Sequence, residues 1–213
     1  MSEKLDKVFQ NRRVIVFSAN RDTCLMNARA IETYKFTPEE CYPEACWRIM
    51  REYLNDKSFI DKEFKAYMRM MNSKGVTSVK EMGFDDYYGF TDYLEEIENK
   101  KELSLRVSFM SQPVGQGINI PYGLKMREKF NSDFVRFSGF NRMTDGTVAG
   151  LKADLLKSYE CLENVHCIMD IDYNLIEKEV LLADENNFRY SLHARGDGAV
   201  RKVLNIYEKC KRS

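Results

Sequence analysis

The run of residues 190–200 holds one of only two histidines in the chain. A short apolar alternation leads to His193, the glycines around Asp197 predict a turn, and the apolar spacing that follows predicts a helix. If the strand is parallel, a histidine at its carboxyl end lies on the catalytic face of a (β/α) barrel, where an imidazole can bind metal. The alternative is a partly buried histidine that bonds to the backbone.

Length and composition bound the classes of protein that this chain can be. Its 213 residues fit one domain or slightly more, and a complete (β/α)8 barrel takes about 250 residues. Lys plus Arg equals Asp plus Glu at 33 each, so no net charge favours nucleic acid as a partner. The six cysteines form no CxxC pair and are interpreted as reduced packing residues, which favours a cytoplasmic protein. No apolar run is long enough for a membrane span, so we expect no membrane partner.

From residue 76 onward, strand patterns alternate with helix patterns. Strands separated by helices of about ten residues or more form parallel βαβ units. We predict four neighbouring parallel strands in chain order, at residues 76–82, 105–110, 135–143 and 189–194. Periodicity alone does not separate half a barrel from an open doubly wound sheet.

Five segments, in this order along the chain, resemble one branch of the amidohydrolase superfamily. This branch is the amidohydrolase 3 type, also called exoenzyme-regulatory (AepA/YtcJ-like) proteins. The matching segments are residues 5–31 with an apolar strand and an Asn-x-x-Ala-Ile helix, 71–79 (MNSKGVTSV), 105–107 (LRV), 144–147 (TDGT) and 193–200 (HARGDGAV).

The resemblance implies a metal-dependent hydrolase with a TIM-type barrel. Such an enzyme would cleave an amide, cyclic imide or N-acyl C–N bond of a small molecule, not a peptide bond. Its divalent metal, zinc foremost, lowers the pKa of a bound water and polarises the carbonyl. His193 is the residue that matches a family metal ligand.

The chain also departs from the family at metal-site positions. The family's first His-x-His strand and its last histidine and aspartate have no counterpart here. Asn141 stands where the family commonly has a lysine able to bridge metals, and Asp22 stands where it has a histidine. Since a catalytic zinc takes about three protein ligands, we expect the isolated chain to hold no metal stably, and the sequence assigns no catalytic residue.

Three further positions have two interpretations each. Asp145 and Asp197 adjoin glycines at strand-to-loop junctions, where a carboxylate could orient a ligand histidine or bond to turn amides. His166 lies near Asp170 and Asp172, but the segment resembles no metal motif, so we interpret His166 as structural or solvent-facing.

These observations predict an α/β fold. We expect a partial (β/α) barrel with roughly the second to fifth barrel strands at residues 74–213, preceded by an inserted α/β subdomain at 1–73. This would be an internal fragment, inactive alone, with two exposed sheet edges and apolar surface through which a homodimer could form. The alternatives are a non-catalytic binding or regulatory domain that kept the scaffold, and a small self-contained α/β domain.

Overall fold

A computed structural model describes residues 2–19, 24–36, 42–83, 90–112, 117–161 and 163–211, with the backbone alone for 42–47. The chain divides into two compact units. The first comprises Met1–Lys65 with Tyr87–Phe90, and the second Ala66–Asp86 with Thr91–Ser213. Across the described ranges, no helix is both long and apolar enough to cross a membrane.

The first unit begins with helix α1 (Ser2–Val8), followed by the antiparallel strands β1 (Ile15–Phe17) and β2 (Cys24–Met26) and helix α2 (Ala28–Tyr34). Asn27 starts α2, since its side-chain oxygen accepts hydrogen bonds from the backbone N–H groups of Ala30 and Val14. Helices α3 (Tyr42–Asn55) and α4 (Lys57–Ser73) follow, and the residues of α4 from Ala66 onward belong to the second unit.

The second unit contains a four-stranded parallel sheet with helices. Its strands are β3 (Ser78–Glu81), β4 (Arg106–Ser111), β5 (Val135–Met143) and β6 (Tyr190–His193). Its helices are α5 (Phe90–Asn99), α6 (Ile120–Lys129), α7 (Tyr173–Glu185) and α8 (Asp197–Tyr207). The strands pair in the order β3-β4-β5-β6, and every pairing is parallel, which confirms the predicted half of a (β/α) barrel.

Aromatic side chains fix one face of the sheet against the helices. Phe109 packs edge-to-face on Phe130, which follows α6, and on Phe137 of β5. Phe140 packs in the same way on Phe137 and Phe188. We call this helix-covered side the outer face and the opposite side the inner face.

A bulge in β5 decides which residues reach the inner face. Phe109 pairs with Phe137, and Ser111 pairs with Phe140, so β5 carries one extra residue at this point. Gly139 has φ +120°, and a Cβ there would lie 2.0 Å from the carbonyl oxygen of Arg189. The extra residue keeps both phenylalanines on the outer face and turns the next residue, Asn141, inward.

Candidate functional site

His193 is the last residue of β6 and lies on the inner face. It pairs in register with Met143, and its carbonyl accepts a hydrogen bond of 2.9 Å from the Thr144 N–H. Its side chain is exposed. Within the described ranges the imidazole makes no hydrogen bond, so both ring nitrogens are available to a ligand.

Asn141 lies on the neighbouring strand, one pleat before His193 on the same face, because it pairs with Ser191. It is completely buried. Its amide donates one hydrogen bond of 2.9 Å to the Met82 carbonyl and another of 3.2 Å to Oε1 of Gln112. Both N–H groups are therefore used, while Oδ1 has no partner in the described structure.

The inner face at this end of the sheet also includes Met110. Met110 lies between the outward-facing Phe109 and Ser111 on β4, so alternation points it inward. Ser111, the next residue of β4, does not share this face, since it pairs with the outward Phe140.

Asp145 follows β5, is buried, and binds backbone amides. Its Oδ1 accepts a hydrogen bond of 2.8 Å from the Arg195 N–H. Its Oδ2 accepts hydrogen bonds of 2.8 Å from the Gly196 N–H and 3.0 Å from the Asp154 N–H. Of the two predicted roles, the contacts are those of a carboxylate that fixes the loop after His193, with no bond to the imidazole.

Asp197 also bonds to loop amides. Its Oδ1 accepts hydrogen bonds of 2.9 Å from the N–H groups of Leu156 and Gly198. The preceding Gly196 packs tightly, since a Cβ there would lie 2.0 Å from the carbonyl oxygen of Asp154. The Gly-Asp-Gly segment thus holds the loop that follows β5 against the start of α8.

The buried Asp154 is the centre of a cluster that sequence reasoning missed. Its Oδ2 accepts hydrogen bonds from the Tyr173 hydroxyl at 2.5 Å and from Lys202 Nζ at 2.7 Å. Burial, followed by the hydrogen bond to the Asp154 carboxylate, raises the pKa of Tyr173 far above its usual range. No motif signals these residues, because they meet only when the loop after β5 folds against α7 and α8.

A second missed cluster joins β5, β6 and α7 on the outer face. Oε2 of the buried Glu179 accepts hydrogen bonds from Arg142 at 2.5 Å and from the Tyr190 hydroxyl at 2.7 Å. Its Oε1 has no partner in the described structure. Burial and the Glu179 carboxylate raise the pKa of Tyr190. The register puts this cluster on the face away from His193, so it positions β6 and takes no part in the inner site.

The remaining predicted positions lie elsewhere or outside the description. His166 is exposed and its Nδ1 lies 3.0 Å from the Leu155 carbonyl oxygen, as a structural or solvent-facing histidine would be. Asp170 is exposed, and Asp172 accepts a hydrogen bond from the Leu175 N–H at the start of α7. Asp22 lies outside the described residues.

The donor set near His193 does not fit a bound catalytic metal. Among the described residues, no three His, Cys, Asp or Glu side chains are grouped so that they could hold a metal ion. Asp145 directs its carboxylate to three backbone amides, and Asn141 offers only an amide oxygen. One imidazole and one amide oxygen fall short of the roughly three protein ligands of a catalytic zinc.

Comparison with known proteins identifies the family of this half barrel. A sequence model of the amidohydrolase family matches residues 2–212. The chain belongs to the amidohydrolase family. No curated protein matches this family member.

Two solved structures resemble this amidohydrolase chain in fold. The first is an uncharacterised metal-dependent hydrolase from Pyrococcus horikoshii OT3, with a TM-score of 0.72 and 18% identity over 97% of this chain and 44% of that chain. The second is an uncharacterised metal-dependent hydrolase from Pyrococcus furiosus, with a TM-score of 0.68 and 21% identity over 98% of this chain and 45% of that chain. The chain therefore spans less than half the length of both structures. Both neighbours are named metal-dependent hydrolases, and the family implies a divalent metal.

Proposed function

We propose that this chain supplies one imidazole, that of His193, to the centre of a metal-dependent amidohydrolase. The observation that carries the proposal is the position of His193 at the carboxyl end of a parallel strand, on the inner face beside Asn141. Active sites of (β/α) barrels are built at this end of the strands. The substrate would be a small molecule with an amide, cyclic imide or N-acyl C–N bond.

The residues around His193 have distinct tasks in this proposal. Asp145 and Asp197 hold the loop behind His193 through backbone amides, which keeps the strand end rigid. Oδ1 of Asn141 is buried without a partner in the described structure, so it would accept a hydrogen bond from a water or substrate N–H on this face. Asn141 would only accept a hydrogen bond and would transfer no proton, since an amide does not titrate.

The isolated chain, on this account, binds a divalent metal weakly and does not catalyse hydrolysis. The described residues supply one imidazole, and the remaining ligands would have to come from outside them. Zinc is the metal we propose, because imidazole is a common zinc ligand and zinc activates water near neutral pH.

A non-catalytic binding or regulatory role is the second candidate. Asn141 favours it, because an amide replaces the family's lysine and already donates both N–H groups to protein acceptors. Changing Asn141 to lysine separates the two candidates. If the metal site has lost only this group, the substitution raises zinc affinity, and if the site serves another ligand, zinc affinity stays unchanged.

Zinc titration by calorimetry under reducing conditions tests the proposal. We expect the chain to bind zinc weakly and His193→Ala to remove that binding. His166→Ala is the matched control, since this second histidine is exposed and distant in sequence, and zinc binding should survive it. Binding that persists in His193→Ala and disappears in His166→Ala would overturn the assignment.

A further inference from the structure

The opposite end of the sheet carries a cavity lined by arginines. Its volume is about 860 Å³. Four arginines line it together with serines from the strands. These residues include Arg106, Arg127, Arg136, Arg189, Ser78 and Ser108.

Strand register places three of these arginines on the inner face. Arg106 is the first residue of β4 and Arg136 the second residue of β5. Each adjoins an outward-facing valine, so both point inward. Arg189 immediately precedes β6, next to the outward Tyr190, and also points inward. Three neighbouring strands therefore present a guanidinium to one space.

The fourth arginine is held at the rim by the backbone. Arg127, at the end of α6, donates hydrogen bonds of 3.2 Å to the carbonyl oxygens of Asn186 and Asn187. Its guanidinium also lies 4.4 Å from the ring centroid of Phe188. Among the described residues, no carboxylate forms an ion pair with this guanidinium.

The described residues that line the cavity carry little negative charge to balance its arginines. Asp133 is the one acidic residue among the described lining residues; it lies 3.4 Å from Arg136, and its side chain is 91% exposed. Within the described ranges, Arg106 and Arg189 form no ion pair. Lys80, paired in register with Ser108, adds a further cation to the inner face.

Like charges on neighbouring strands repel, so this arrangement costs stability unless an anion occupies the space. The planar guanidinium matches the oxygens of phosphate and carboxylate groups in a bidentate manner. A second copy of the chain is a poor occupant, because its inner face would bring the same positive charges. Charge complementarity therefore favours an anionic ligand.

We propose that this cavity binds a small oxyanionic ligand that carries at least two phosphate or carboxylate groups. The site lies at the amino ends of the strands, whereas His193 closes the carboxyl end of β6. The inference goes beyond the proposed hydrolase role and does not depend on it.

Calorimetric titration with pyrophosphate and, separately, with citrate at low ionic strength tests this site. We expect saturable binding of at least one of these anions, weakened by added sodium chloride. Pyrophosphate binding alone would identify a phosphate site, and citrate binding alone would identify a carboxylate site. Either result supports the proposal.

Charge-removing variants locate the binding. We expect Arg106→Gln and Arg189→Gln each to weaken it about tenfold or more, since each removes charge-assisted hydrogen bonds. Both side chains are exposed and without ion pairs in the described structure, so thermal unfolding without ligand should be unchanged or slightly raised. Arg201→Gln on α8 is the matched control and should bind as the parent does. His193→Ala should also bind normally.

Three outcomes would overturn the proposal. One is the absence of saturable binding of both anions at millimolar concentration. Another is binding that both arginine variants retain, or that His193→Ala abolishes, because the ligand would then lie elsewhere. The third is binding of a glutamate decapeptide that neither small anion displaces, which would identify an acidic polypeptide as the occupant.

Discussion

Asp145 shows what a carboxylate beside a candidate ligand histidine does here. The sequence allowed it either to orient His193 or to bond to turn amides, and its contacts are with the backbone of Asp154, Arg195 and Gly196. The sequence could not decide between these two roles. The bonds form because Asp154, nine residues after Asp145, packs against the loop that follows β6. The effect on His193 is indirect and acts through the loop that follows it.

We predict that Asp145→Asn lowers the free energy of unfolding by about 2–3 kcal/mol, since the amide replaces one acceptor oxygen by a donor that faces backbone N–H groups. Urea unfolding followed by circular dichroism measures this. Asp170→Asn is the control, because Asp170 is exposed in the same connection, and it should change stability little. Equal stability of Asp145→Asn and the parent chain would show that these bonds do not hold the loop.

Among the elements, β5 departs most from simple alternation. Counting in twos from the outward Phe137 puts Asn141 on the outer face, whereas the bulge at Gly139 puts it on the inner face. The existence and parallel order of the four strands were predictable from the alternation of strand and helix patterns. The bulge was not, because it depends on how closely the backbone of β6 approaches Gly139.

Gly139→Ala should disrupt the pairing of β5 with β6. A Cβ at φ +120° and 2.0 Å from the Arg189 carbonyl oxygen forces the strands apart, at a cost of about 3 kcal/mol or more. Gly75→Ala is the control, since its φ is +77° but a Cβ meets nothing within 4 Å, and its cost should be about 1 kcal/mol. Thermal and urea unfolding compare the two, and equal costs would contradict the proposed role of the bulge.

Tyr190 makes the stability of the folded chain depend on pH in the alkaline range. Its pKa is raised by burial and by Glu179, so the native state keeps the proton above pH of about 10, where an unfolded tyrosine loses it. The contribution of Tyr190 is therefore complete below that pH and is lost as pH rises.

We predict that the stability difference between the parent chain and Tyr190→Phe narrows above pH of about 10, by up to about 1.4 kcal/mol per pH unit. Phenylalanine keeps the ring and removes the ionisable hydroxyl. Urea unfolding at a series of pH values between 8 and 11 measures the difference, at about one-unit steps. A constant difference across this range would show that Tyr190 titrates normally in the native chain.

At the scale of the whole molecule, the inner face of the sheet is more polar than expected. We expected a half barrel to expose an apolar surface. The amino-terminal part of the inner face carries Lys80, Arg106, Arg136 and Arg189 among serines. The outer face holds the aromatic core instead. The cause is the alternation along each strand, which gives the helices the large apolar side chains and leaves polar ones facing inward.

The family and the half barrel were predictable from five short segments, each weak alone, because their order along the chain matches the family pattern. The cavity at the amino ends was not predictable, because its arginines are spread along the sequence from Arg106 to Arg189. Only the strand order and register bring them together. A homodimer through the exposed edges of β3 and β6 stays a prediction, and the charge of the inner face argues that such a dimer would not form through that face.

We propose that His193, on the inner face beside Asn141, binds the metal in this half barrel. An anomalous-difference map from crystals soaked with nickel(II), a metal that suits imidazole, tests it most directly. We expect the strongest peak at the His193 imidazole, on the inner face at the carboxyl end of β6. A strongest peak at His166 with none at His193 would contradict it.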